Sequence, residues 1–310
     1  MSSVLLRISL TLLFVFIGNI SALAEAERLD FYVLGDWGVR GSGKQIAVAN
    51  VMAAQAQRRR PRFIISTGDN FYQNGVASTT DSHWKQSFRN VYNQRALQGI
   101  NWFVVLGNHD YQGNPQAEID YSGVENRWNL PRRYYKRSFE AGQLKADIFF
   151  LDTSPYIPGY RKNSLMAPNF INGQEERQKN WLRNGLQRST ADWQIVVGHH
   201  PLYSGSPTHQ VDQPYLRENF LEIFEQGGVD LYLSGHDHGL QFLKSPAEQT
   251  YHIVSGGGYG YRAIDSHPYH QFSEASAGFV ALQFSESTFR ARFINQDGLV
   301  LSNQLRRRSN

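Results

Sequence analysis

The chain has 310 residues, 41% hydrophobic and 13% aromatic, with a net charge of +4, so it can build a sizeable core and is not a disordered polyelectrolyte. It holds no cysteine, which excludes disulfides and thiolate ligands and leaves nitrogen and oxygen donors for any metal. The mild charge gives no expectation of a nucleic-acid partner, and the short arginine-rich runs at 58–62 and 306–308 read as solvated surface.

Residues 1–24 differ from the rest. Arg7 precedes a mostly apolar stretch at 8–17, and Ala22-Leu23-Ala24 is a small-x-small cleavage pattern, which together make a secretory signal peptide. About ten apolar residues fall short of the roughly 20 that span a bilayer. The expectation is a cleaved leader at 1–24 and a secreted or periplasmic protein with no membrane association after cleavage. The remainder, 25–310, reads as a single domain whose charge without Arg7 is +3.

Apolar runs predict strands at 31–35, 62–68, 102–107, 148–152, 194–198, 229–235 and 252–256. Helical patterns fall between them, at 44–59 with Ile46, Ala49, Ala53 and Ala56 on one face, and at 83–97, 175–187 and 216–226. Asn172 followed by Glu175 has the spacing of a capping box. A hairpin at 279–284 and 289–295, turned at Glu286-Ser287, closes the chain. Strand and helix alternate first and antiparallel strands follow, which points to an α/β fold layered around a mixed sheet or two stacked sheets. The stretches 111–135 and 154–173 lack periodicity, and 155–172 is expected to form a partial lid.

Five of the strands end in glycine followed at once by Asp, Asn or His: "GDWG" at 35–38, "GDNFY" at 68–72, "GNHD" at 107–110, "GHHP" at 198–201 and "GHDH" at 235–238. Ligands of open α/β sheets bind beyond the carboxyl ends of strands, so these tips should converge on one crevice. Gathering charged and imidazole groups there is costly unless something offsets it, and a metal centre does. Asp36, Asp69, Tyr72, Asn108, His199, His236 and His238 are seven donors, too many for one tetrahedral zinc. A dinuclear site with one shared carboxylate fits better, and two ions about 3.5–4 Å apart suit in-line displacement at phosphorus. Asp110 and Asp237 read as supporting residues. His83, His200, His252, His267 and His270 read as structural, with His200 turned away from the crevice if its backbone is extended.

These five tips resemble the metallophosphoesterase (calcineurin-like) superfamily, and within it the purple acid phosphatases of the small, tartrate-resistant type. Most of the superfamily carries Asp-x-His at the first tip; here Gly38 stands at the histidine position, and Tyr72 follows three residues after Asp69. "WFVVLGNHDYQGN" and "RWNLPRRYY" extend the likeness. The resemblance implies a layered α-β-β-α sandwich with two stacked mixed sheets. It implies ferric iron on Asp36, Tyr72 and His238, and a divalent ion (ferrous iron, zinc or manganese) on Asn108, His199 and His236, with Asp69 bridging. It places His109, and less directly His209, at the phosphate or the leaving group. It implies an acid phosphatase that hydrolyses phosphate monoesters by attack of metal-bound hydroxide, acting on small phosphate esters, with phosphoproteins or nucleotides as further substrates. A phosphodiesterase or nucleotidase on the same core, or an iron-binding redox protein, are the alternatives. No extra β-rich domain precedes the first motif, so the short single-domain form is expected.

Overall fold

The computed structural model describes residues 28–307; the expected signal peptide lies outside them. The first sheet is built on Leu29–Leu34 (β1), Phe63–Ser66 (β2), Asn101–Val104 (β3) and the short Trp128–Asn129 (β4), all parallel. The second contains Tyr135–Ala141 (β5), Leu144–Phe150 (β6), Trp193–Val197 (β7), Leu231–Ser234 (β8), Leu240–Leu243 (β9), Tyr251–Ser255 (β10) and His270–Glu274 (β11). Gly278–Phe284 (β12), Thr288–Asn295 (β13) and Val300–Arg307 (β14) then return to the first sheet. The strand orders are β14-β13-β12-β1-β2-β3-β4 and β11-β9-β10-β8-β7-β6-β5. Both sheets are mixed. β12 runs antiparallel beside β1, whereas β6, β7, β8 and β10 are mutually parallel.

Period-2 alternation sorts the apolar residues into layers. Phe31 and Phe63 stack at 4.7 Å and face the second sheet, where Phe63 meets Phe139 at 4.1 Å and Phe103 meets Phe150. From the second sheet, Ile148, Ile195, Leu231 and Leu233 join this inner core, while Phe149, Val196 and Tyr232 point outward. There they pack on Leu182 and Leu186 of helix Gln174–Gln187 and Phe220 and Phe224 of helix Gln213–Gly227. Helix Gly43–Arg58 covers the outer face of the first sheet with Val48, Ala49, Met52, Ala53 and Ala56. The result is the layered α-β-β-α arrangement.

All seven expected strands and the hairpin are present, the latter with Phe284 opposite Phe289 and Ser285 N–H bonded to the Thr288 carbonyl. Several expectations need correction. Ile46 is 43% exposed, and Met52 fills the core in its place, since the buried stripe is turned slightly from the one expected. Of 83–97 only the residues up to Arg89 are helical, ending in the wide turn Trp84–Arg89, because Trp84 and Phe88 are drawn into an aromatic cluster with Trp102 and Trp128. The capping box at Asn172 does not form: Gly173, with φ 69°, occupies the cap and makes no side-chain bond. The stretch 111–135 holds helix Pro115–Asp120 and β4, and 154–173 is a string of short 3-10 turns. β5, β11 and β14 carry no clean apolar run, and β9 is a four-residue strand interrupted by Gln241, so none of the four is expected from the sequence.

Candidate functional site

Parallel strands β1, β2, β3, β7 and β8 all present their carboxyl ends to one crevice, and each of the five quoted tips arrives there. Asp36, Asp69 and His236 adopt left-handed backbone conformations, with φ of 58°, 49° and 67°. Such positions disfavour side-chain-bearing residues by about 1–3 kcal/mol, so three of them in one crevice mark a site whose geometry outranks local comfort. The glycines permit close approach. A Cβ on Gly107 would lie 2.2 Å from the Asp69 amide nitrogen, and one on Gly235 would lie 2.4 Å from Asp36 Oδ2. A Cβ on Gly38 would lie 1.8 Å from the Asn70 carbonyl oxygen, so the superfamily's histidine has no room there.

Two groups of donor atoms form. In the first, the Tyr72 hydroxyl lies 3.0 Å from Asp36 Oδ1, 2.9 Å from Asp69 Oδ2 and 3.1 Å from His238 Nε2. A phenol has one proton to give, and three acceptor-capable atoms face it. In the second, His199 Nε2 lies 3.1 Å from Asn108 Oδ1, 3.4 Å from Asp69 Oδ1 and 3.2 Å from His236 Nδ1. His199 Nδ1 faces the Thr67 carbonyl at 2.8 Å, which can only accept, so Nδ1 carries a proton and Nε2 is the nitrogen turned into the group. The two oxygens of Asp69 divide between the groups. The seven donor residues named from the sequence are thus brought together, in two groups that share Asp69.

Burial leaves these charges in need of a counter-ion. The carboxyl of Asp36, fully buried and near Asp69, is pushed well above the ordinary carboxylate range. Burial and the two carboxylates also push the Tyr72 phenol up. For Asp69, burial is outweighed by His199, His109 and His236, which hold it down. Burial opposes a charged His199, but Asp69 overcomes it and lifts the imidazole to about 9. Burial lowers His238 to about 4, helped by Arg262, and with His209 and His199 it lowers His236. Carboxylates, a phenol oxygen and imidazoles crowded together are a chemical fit to cations with nitrogen and oxygen preference, and such a cation would displace the proton that Asp69 draws onto His199.

Two further histidines flank the donors. His109 hydrogen-bonds the Gln73 carbonyl through Nδ1, lies tilted against the Tyr72 ring at 4.4 Å and holds Nε2 3.9 Å from Asp69 Oδ2. His209 donates from Nδ1 to Asp237 Oδ1 at 2.7 Å, and its ring lies 4.0 Å from that of His236. Both therefore keep Nε2 free. Asp237 has the supporting role expected of it. Asp110 does too, accepting from the Gly107, Asn70 and Phe71 amides at 2.7–3.1 Å and so tying the second tip to the third. His200 bonds to Thr153 and Tyr160 rather than to the donors, although its ring packs 4.4 Å from His236.

Sequence reasoning passed over several contributors. Asp212 sits at a helix start without capping it, its Oδ2 3.4 Å from the otherwise unpartnered His236 Nε2. Tyr259 leans on Tyr72 and His238 at 4.9 and 5.2 Å. His83 holds the Tyr72 carbonyl from behind. Asn70, inside a quoted motif, bridges Ser66, Val105, Asp110 and Glu118, and its place there was the one available signal.

The profile of the calcineurin-like phosphoesterase family matches residues 29–240. The chain belongs to this family of metallophosphoesterases. It is 33% identical to purple acid phosphatase 17 of Arabidopsis thaliana, an alignment that covers 96% of this chain and 91% of the relative. It is 34% identical to rat tartrate-resistant acid phosphatase type 5, over 76% of this chain and 74% of the relative. Within the family it therefore groups with the purple and tartrate-resistant acid phosphatases, and it is an enzyme of that hydrolase class. A solved structure of GAP50, described as the anchor in the inner membrane complex of Plasmodium, has the same fold, with a TM-score of 0.78, 26% identity and coverage of 91% of this chain and 90% of that one.

Proposed function

We propose that the protein hydrolyses phosphate monoesters at acid pH with ferric iron held by Asp36, Tyr72 and His238, a divalent ion held by Asn108, His199 and His236, and Asp69 shared. The observation that carries this reading is the Tyr72 hydroxyl set within 2.9–3.1 Å of Asp36, Asp69 and His238. A hard carboxylate and phenolate set favours a trivalent ion, and an imidazole-rich set favours ferrous iron, zinc or manganese. When bound, the pair supplies Lewis-acid activation of the ester and of the attacking water. His109, with Nδ1 tied to Gln73, directs Nε2 at the leaving oxygen to deliver a proton. His209, with Nδ1 tied to Asp237, is positioned to bind a phosphate oxygen. Tyr160, on the 155–172 segment, bonds His200 and lies near Asp212, which supports a covering role for that segment. Small phosphate esters, phosphoproteins and nucleotides are the proposed substrates. Among the described residues no helix is long and apolar enough to cross a membrane, and secretion after removal of 1–24 is part of the proposal.

The visible spectrum of protein purified in air tests the reading. A broad band that disappears in Tyr72→Phe, together with hydrolysis of a phenyl phosphate monoester well above that of the matching diester, is expected. A colourless, metal-loaded protein, or a preference for the diester, would move the assignment to a phosphodiesterase or nucleotidase.

The carboxylate of Asp212 orients His236 from its outer nitrogen. Asp212→Asn should weaken divalent-ion affinity by about 10–100-fold, the usual effect of removing a partner of a ligating histidine. Metal titration of the chelated protein reads this directly, and unchanged affinity would make Asp212 a bystander.

A further inference from the structure

At the end of the molecule opposite the metal donors, three grooves of about 390, 540 and 410 Å³ adjoin one another. The first and second share Asp30, Arg58 and Arg59, and the second and third meet at Gly99. They follow the amino ends of the parallel strands: Arg62 directly precedes β2, Ile100 precedes β3 and Arg127 precedes β4. At about 3.3 Å per residue, seven residues from Arg62 to Asp69 put the grooves on the order of 20 Å from the donors.

The charge there is lopsided. Among the described residues, ten Lys and Arg line the grooves against two Asp and Glu, a local charge of +8 in a chain whose net charge is +4. Arg58, Arg290 and Arg292 face the first groove, Arg60 and Arg62 the second, and Lys85, Arg89 and Arg127 the third. Several guanidinium groups are fixed by neutral acceptors that leave their charge in place. Arg60 donates to the Ala96 and Gln98 carbonyls, Arg62 to the Glu140 carbonyl and Arg290 to Asn303 Oδ1. Among the described residues that line the grooves, the acidic ones are Asp30, 3.7 Å from Arg59, and Glu125, 3.3 Å from Arg127. A solvated charge run, as read from the sequence, does not require this: residues from the helix end, the β13 strand and three strand entries are gathered into one concave belt.

The occupant is constrained by what else lines the belt. Its aromatic or large aliphatic members Tyr32, Ile100 and Leu282 are 4%, 2% and 2% exposed, leaving no platform for stacking bases and no apolar wedge for a bilayer. Guanidinium forks match phosphate oxygens, and a row of grooves suits a linear chain. We propose that this belt docks a linear inorganic polyphosphate, holding it away from the metal donors rather than presenting it for cleavage there.

The test is binding of inorganic polyphosphate to the mature protein in chelator, where the metal centre contributes nothing and the proposed hydrolysis is not involved. Binding should weaken log-linearly with salt, and Arg58→Glu with Arg292→Glu should reduce affinity at least about tenfold. Each lost phosphate contact should also flatten the salt slope by about 0.7, by analogy with single-stranded polyanions. Lys85→Glu with Arg89→Glu should weaken binding independently, and both pairs should leave hydrolysis of a small monoester unchanged, which certifies the fold. Absence of binding, or affinity untouched by both pairs, would overturn the proposal. Tighter binding of oligothymidylate or of anionic vesicles than of polyphosphate would overturn the choice of partner.

Discussion

Asp69→Ala is expected to lower kcat/KM for a phosphate monoester by about a thousandfold or more. Its two oxygens serve different donor groups: Oδ2 faces Tyr72 at 2.9 Å, and Oδ1 faces His199 at 3.4 Å while accepting the His109 amide at 2.9 Å. Removing the side chain takes one donor from each group and one restraint from the segment that carries His109. A metal ion's contribution to phosphoryl chemistry is several kcal/mol, and each ~1.4 kcal/mol is a factor of ten. Steady-state kinetics and metal analysis of the same preparation check this. A tenfold loss or less, with two equivalents of metal still bound, would show that the carboxylate is not shared.

Trp37→Ala should cost about 3–5 kcal/mol of folding stability, the range for removing a large aromatic side chain from a core. Trp37 is fully buried and lies 5.5–6.4 Å, ring to ring, from Phe71, Tyr92, Trp102, Phe88 and Trp128. Its Nε1 donates to Ser66 Oγ at 2.8 Å, and Ser66 in turn donates to Asn70. The loss is a large share of a typical stability of about 5–15 kcal/mol. The neighbouring Asp36 holds a left-handed backbone that this packing maintains, so metal affinity should fall as well. Denaturant midpoints for the alanine and phenylalanine variants bracket the terms: phenylalanine keeps most of the ring packing, but loses the bond to Ser66 and part of the indole volume. A shift below about 1 kcal/mol for alanine would mean that the cluster closes over the gap.

Much of the fold was legible because the core strands are short apolar runs ended by glycine. The strands missed were those whose residues do not advertise burial. β5 reads "YKRSFEA", with Lys136, Arg137 and Ser138 exposed in a row and only Tyr135 and Ala141 buried, so pairing with β6 rather than an apolar pattern makes it a strand. β11 and β14 are likewise held by their neighbours rather than by their own composition. The helix expected at 83–97 failed for the opposite reason, as tertiary packing of Trp84 and Phe88 overrode a helical pattern.

Residue types alone set the chemistry on offer: nitrogen and oxygen donors without sulfur, gathered at five strand tips, and a tyrosine where no histidine follows the first aspartate. Those are properties of residue type and of spacing along one segment. The tertiary structure alone decided which donors meet. The His236 amide donates to Asp36 Oδ2 at 2.9 Å across 200 residues, and that contact exists because β12 to β14 return to the first sheet and the two sheets stack. It also placed Asp212 behind His236 and gathered distant arginines into one belt. Periodicity reports which face of an element is buried, but strand order and register set the partner across the gap, and they follow from the packing of the whole chain.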